Sequence, residues 1–346
     1  MKKVLCAAAI VVIISCCCLA SACSDLGDAY DGTPYTDPEA WELTSGTDFT
    51  VLDSLDGTIW APSPHGLRKY EYWCSDMIGF SDEGIVISSA REDDHVCSEG
   101  ICPKSGVFTS GIETRSGSEK LFEQAFGYFE ATVKVPRGSG MWSAFWLQSD
   151  NVGNVGHGGK DGAEIDVYES SFIAENRTCT GSAVHVDAYD PPFYASSGAV
   201  TDVGKDLYDG EFHTYALLWT PEMYVFYVDG EETWRTDYKG VSTVPEFLRL
   251  TVEIRDPEYA VYGPYGQKIG RFENAEDGSN DFVISRVKVY ANDDFAPYIN
   301  SEEDFDDMKG AYIAIYAVCS VVIAALAAGL IAATASYLKK KKRAGR

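Results

Sequence analysis

From Asp48 to Tyr290 the chain runs in short stretches that alternate apolar and polar residues at a period of two, separated by Gly, Asp, Asn, Pro or Ser. Phe282-Val283-Ile284-Ser285-Arg286-Val287-Lys288-Val289-Tyr290 and Tyr128-Phe129-Glu130-Ala131-Thr132-Val133-Lys134-Val135 are clear examples, and Tyr224-Val225-Phe226-Tyr227-Val228 ends in the turn pair Asp229-Gly230. Successive side chains of a strand point to opposite faces, so runs of this kind make strands with one buried face. No long segment of the body places apolar residues at helical spacing. The body is therefore expected to be all-β, a β-sandwich or jelly roll of about 250 residues forming one domain, with no internal repeat.

The two ends read differently. Residues 1–23 have a secretory leader's layout: Lys2 and Lys3, an apolar stretch through Val11-Val12-Ile13-Ile14, and small residues Ala20-Ser21-Ala22 before Cys23. Two readings stay open for Cys23: an ordinary leader, or a lipoprotein cleavage site with Ala20 where Leu is usual. Residues 24–47 are polar and turn-rich, the profile of a linker. Residues 293–310 are acidic and read as a spacer. Residues 311–338 carry no charge, more than the roughly 20 apolar residues a helix needs to cross a bilayer. The basic tail, residues 339–346, begins Lys339-Lys340-Lys341-Lys342-Arg343, whereas Glu302, Glu303, Asp304, Asp306 and Asp307 precede the span. That asymmetry places the C-terminus in the cytoplasm and the body, residues 48–292, outside the cell membrane on a single-pass anchor.

The formal net charge of −25 repels phosphate backbones, so nucleic acid is not expected as a partner. Four cysteines fall in the body: Cys74, Cys97, Cys102 and Cys179. An exported body with four cysteines predicts two disulfides. The near pair Cys97 and Cys102 closes most easily, but all three connectivities stay open. The spacing does not match a zinc motif, and His95 is the one histidine nearby.

The strongest chemical signal is Glu164-Ile165-Asp166-Val167-Tyr168-Glu169. Three carboxylates in an otherwise apolar strand are costly, because like charges and desolvation both raise their pKa values. On a regular strand Glu164 and Asp166 share a face and Glu169 points away. A β-bulge between Asp166 and Glu169 would bring all three together, and bulges occur beside active sites. The two glutamate Cα atoms would then lie roughly 13 Å apart, at about 3.3 Å per step. With each side chain leaning inward by about 4 Å, the carboxyl groups approach the ~5–5.5 Å separation of a retaining glycosidase.

These residues resemble the bulged E-x-D-x-x-E signature of glycoside hydrolase family 16, the laminarinase and lichenase group. Phe126-Gly127-Tyr128-Phe129-Glu130-Ala131 is similar to the family's YGxFEAR strand, Gly140-Met141-Trp142-Ser143-Ala144-Phe145-Trp146-Leu147 to its GxWPAFWL segment, and Phe212 to Gly230 to its FHxYxxxWTP and FYVDG stretch. The resemblance implies a concanavalin-like β-jelly-roll sandwich and an endo-acting, retaining glycosidase, with Glu164 as nucleophile, Glu169 as general acid and then base, and Asp166 tuning their charges. It implies polysaccharide-binding roles for Trp142, Trp146, Trp219, His185 and Arg115. No cofactor is required. The family's structural calcium is in doubt, because Ser285 stands where an Asp often helps bind it. Further departures are Ser143 for Pro, Ile112 for a basic residue, and Val186 where a related HWDxYG segment has Trp, which suggests a missing stacking surface. The substrate reading is β-1,3 or β-1,3/1,4-glucan, cleaved by a monomer. Transglycosylation, a galactan substrate, or a lectin on the same jelly roll stay open.

Overall fold

The computed structural model describes residues 40–98, 100, 102–170, 177–254 and 272–344. The expected leader, Cys23 and most of the expected linker lie outside the described residues. Two antiparallel sheets stack face to face, each an expected product of the alternating runs. The outer sheet has the order Glu231–Thr236, Tyr224–Val228, His213–Trp219, Gly127–Lys134, Phe282–Ala291, Gly84–Ile87 and Ile78–Ser81. The inner sheet has the order Ala195–Asp202, Cys179–Val186, Glu164–Glu169, Met141–Gln148, Phe247–Ile254, Gly111–Glu113 and Ala61–Pro62. A small third sheet holds Gly66–Leu67, Tyr72–Trp73, Gly106–Thr109 and Ala90–Glu92.

The main core lies between the two sheets. Phe129, Ala131 and Val133 from one strand meet Phe145, Leu147, Ile165 and Leu250 from the other sheet, all in one buried cluster. Alternation puts the odd positions of Met141–Gln148 in this core and leaves Trp142, Ala144, Trp146 and Gln148 on the opposite face. Tyr168 and Tyr215 pack against each other across the core, their rings tilted by 30° with centroids 4.2 Å apart.

Two expectations are corrected. The linker was expected to reach residue 47, but Glu42–Asp48 is a strand paired with Phe282–Ala291, so the domain starts earlier. Its neighbour Trp41 covers an apolar patch of Tyr128, Leu218, Met223 and Val225 on the outer face, which polar composition around it had concealed. The acidic stretch 293–310 is not a free spacer: Phe295 meets Trp41 edge-on at 5.9 Å. Glu302 Oε1 in that stretch accepts from Ser149 Oγ and the Asp150 N–H, both at 3.0 Å. Its acidity hides specific acceptors that bind the body.

The disulfide expectation is half met. Cys97 and Cys102 are bonded. Cys74 and Cys179 are not bonded to each other: Cys74 sits beside the Cys97–Cys102 pair, while Cys179 opens a strand of the inner sheet. The C-terminal helix runs Lys309–Ala344, two residues ahead of the expected span at its start. Its stretch Lys309–Lys340 has a mean hydropathy of 2.5 over its most apolar window, long and apolar enough to cross a membrane.

Candidate active site

The carboxylate strand enters from Gly162, whose φ of 134° suits a residue without Cβ; an added Cβ would lie 2.2 Å from Ser149 Oγ. Along Glu164–Glu169 the pairing with both neighbours slips. Trp146 faces Asp166 while Phe145 faces Tyr168, and Asp166 to Glu169 spans three steps against two on Cys179–Val186. Val167 and Tyr168 both turn into the core. This is the expected bulge, and it brings Glu164, Asp166 and Glu169 to one face.

That face floors a cleft of about 780 Å³ lined by Arg68, Lys69, Trp142, Gln148, Glu164, Glu169, His185, Tyr189, Tyr194 and Arg249 among others. A smaller adjoining recess adds Trp146, Asp166, Thr251 and Glu253. Trp142 Nε1 donates to Glu169 Oε1 at 2.8 Å. Tyr189 donates its hydroxyl to Glu164 Oε2 at 2.5 Å and accepts from Gln148 Nε2 at 2.8 Å. His185 Nε2 lies 3.0 Å from Asp166 Oδ2 and 4.0 Å from Glu164 Oε1, and its Nδ1 is 2.7 Å from the Tyr194 hydroxyl.

The electrostatics follow from burial and crowding. Burial, then the Asp166 charge, pushes Glu164 up to about 7, against the pull of His185 and the Tyr189 hydroxyl. The same two causes push Glu169 up to about 8, opposed by His185 and the Trp142 donor. Burial alone would lower His185, but its hydrogen bond to Asp166 and the charges of Asp166 and Glu164 outweigh it and raise the imidazole to about 10. At neutral pH a positive His185 therefore sits among three carboxyl groups. Such a set holds one carboxylate ionised beside a carboxyl group that keeps its proton.

The profile of the family described as glycosyl hydrolases family 16 matches residues 73–251, just over half of the chain. The chain belongs to that family. Similar proteins include a beta-glucanase of Rhodothermus marinus, 27% identical over 60% of this chain and 68% of that one. Another is the endo-1,3-1,4-beta-glycanase EglC of Rhizobium meliloti, 30% identical over 54% of this chain; the match spans about a third, 34%, of EglC. Among solved structures, the laminarinase catalytic domain of Thermotoga maritima superposes with a TM-score of 0.53 at 20% identity, covering 73% of this chain and 99% of that one. The fold is thus the family 16 jelly roll.

Within this family 16 domain the other expected site residues fare unevenly. Trp142 and His185 line the cleft. Trp146 is on the cleft side, but Arg249 lies 4.2 Å above its ring and its Nε1 donates to Thr251 Oγ1, so it is a supporting floor rather than an open stacking face. Trp219 is corrected: it is wholly buried between the sheets, stacked on Phe129 at 5.9 Å, with Nε1 donating to the Ser242 carbonyl. Arg115 is corrected too, since it is not among the cleft-lining residues; it pairs with Asp150 and lies 5.0 Å over Phe247. Val186 points into the core, so the absence of Trp there removes no cleft surface at that position. Ser143 is also a core residue, bonded to Tyr168 and Ser170 hydroxyls. Ser285 donates to the Thr132 carbonyl.

Sequence reading missed Arg68, Lys69, Gln148, Tyr189 and Arg249. Gln148 carried a usable signal, because it shares strand parity with Trp142 and Trp146, whereas Arg249 stands opposite Trp146 through a strand pairing that residue order does not give. Arg68, Lys69 and Tyr189 come from irregular segments, where periodicity carries no information.

Proposed function

We propose that this chain is a membrane-anchored, extracellular, retaining endo-glycosidase acting on β-1,3- or β-1,3/1,4-linked glucan. The observation that carries the reading is the bulged strand, which sets Glu164, Asp166 and Glu169 on the floor of an open cleft. In the first step the Glu164 carboxylate attacks the anomeric carbon, the glycosidic C–O bond breaks, and Glu169 gives its proton to the leaving oxygen. In the second, Glu169 takes a proton from water, the resulting hydroxide attacks the same carbon, and Glu164 is released. Asp166 and His185 set the charge around both glutamates, and Tyr189 orients Glu164.

The glucan reading rests on similarity to a beta-glucanase and to an endo-1,3-1,4-beta-glycanase. The half-buried Trp142 and the more exposed Tyr189 and Tyr194 line the cleft and supply aromatic surface for sugar C–H groups. The Lys309–Ala344 helix, followed within it by lysines, supports the anchor and its orientation. The test is oligosaccharide release by the detergent-solubilised chain from laminarin, lichenan and agarose, with Glu164→Gln alongside. Release from a β-glucan that disappears in the variant supports the proposal. Binding without release, or release that survives in Glu164→Gln, overturns it.

A further inference from the structure

Away from the cleft, a second cluster of reactive side chains gathers around Cys74, which follows the Tyr72–Trp73 strand. One donor atom each from Cys74, Asp76, His95 and Cys97 lies within 4.8 Å of the others. Cys74 Sγ is 3.2 Å from Cys97 Sγ and 3.2 Å from Asp76 Oδ2. Tetrahedral zinc, with bonds of about 2.0 Å to nitrogen and about 2.3 Å to sulfur, needs donors spaced on this scale.

His95 supplies an independent pointer to a ligand. Its side chain is 6% exposed, and its Nε2 is buried with no hydrogen-bond partner among the described residues. Its Nδ1 is 2.7 Å from Glu92 Oε2. A carboxylate on Nδ1 holds the tautomer with the Nδ1 proton and leaves the Nε2 lone pair open, the arrangement that orients metal-binding histidines. Phe108 stacks on the imidazole at 3.9 Å and fixes its plane. Leaving Nε2 buried and unbonded costs free energy that a metal ion would recover.

We propose that Cys74, Asp76, His95 and Cys97 form a zinc site that opens when the Cys97–Cys102 disulfide is reduced. A disulfide sulfur is a poor zinc ligand, so oxidation closes the site. A dithiol reductant gives two electrons and two protons to Cys97–Cys102 and becomes a disulfide itself; zinc then displaces the thiol protons of Cys74 and Cys97. Bound zinc ties Cys74 to the hairpin carrying His95 and Cys97. Cys74 follows Trp73, whose Nε1 donates to the Val252 carbonyl of the cleft sheet, so the ion would brace the segment that brings Arg68 and Lys69 to the cleft.

The test titrates cobalt(II) into the full-length, detergent-solubilised chain, oxidised or reduced with a phosphine, which avoids competition from a chelating dithiol. The expected result is one equivalent of cobalt in the reduced chain alone, with tetrahedral d–d bands and a sulfur-to-cobalt charge-transfer band, both lost on adding zinc. His95→Gln keeps every sulfur and should weaken binding at least about tenfold. Cys74→Ser should remove the charge-transfer intensity in proportion, with folding checked by circular dichroism. Cobalt bound without a charge-transfer band would report the Glu164, Asp166 and His185 carboxylate group instead, and would overturn the proposal. So would equal binding in the oxidised chain, full affinity in His95→Gln, or no uptake by the reduced chain.

Discussion

The indole N–H of Trp142 donates to Glu169 Oε1 at 2.8 Å while Lys69 sits 4.7 Å over the face of the same ring. One side chain thus forms part of the cleft wall and steadies the charged form of the proposed acid. Trp142→Phe keeps a ring under Lys69 and removes the donor. A hydrogen bond to a charged group contributes about 1.5–3 kcal/mol, and about 1.4 kcal/mol is one pH unit. The alkaline limb of the kcat/KM profile should therefore move up by about one pH unit, which a pH series on the variant would read directly.

The unaltered chain should show a bell-shaped profile. In the proposed mechanism Glu164 must be ionised, so activity falls as pH drops through about 7, and Glu169 must be protonated, so it falls as pH rises through about 8. The two limbs belong to the coupled pair. An optimum near pH 4 to 5 would contradict the arrangement of charges described above.

His185→Gln removes the positive group beside Asp166 and Glu164. The carboxylates then repel one another without compensation, Glu164 rises further, and the acidic limb moves to higher pH. At pH 7 kcat/KM should drop at least about tenfold, the equivalent of 1.4 kcal/mol, with partial recovery at pH 8. A profile that only scales down, with its limbs in place, would mean that His185 acts by packing alone.

Glu246 is buried behind the active strand, where its Oε1 accepts from the Ala163 N–H. Burial pushes it up from 4.5 to about 8, so the folded state holds this proton more tightly than the unfolded chain. Its contribution to stability is fully present below about 4.5 and is lost as pH rises through about 8. Glu246→Gln retains the acceptor and removes the charge. Melting curves at pH 5 and pH 9 should show a smaller loss on alkalisation than in the unaltered chain.

Phe295→Ala tests whether the acidic stretch belongs to the domain. Deleting the ring that meets Trp41 and Phe126 should cost about 2 kcal/mol, read as a lower urea midpoint at an unchanged slope. An unchanged midpoint would return residues 293–310 to the role of a passive spacer.

The all-β character, the bulge and the three carboxylates were all legible in residue order. Alternation at period two sets which neighbours share a face, and three acidic groups in an apolar strand force a break in that period where Val167 and Tyr168 both face the core. What period two cannot say is which sheet a strand joins. Trp142 and Trp219 sit in similarly convincing segments, yet one lines the cleft and the other is buried between sheets. Composition misled in the same way at Trp41 and Glu302, because polar neighbours say nothing about a contact made from more than a hundred residues away.

The sequence by itself determined the strand class, the apolar C-terminal segment and the set of carboxylates, since these follow from local side-chain order. Tertiary structure alone decided that Tyr189 reaches Glu164, that Arg249 covers Trp146, and that His95 stands beside Cys74 and Cys97. Each of those meetings joins residues from different strands or loops, and their closeness arises from how the sheets and their connections stack, which no local periodicity encodes.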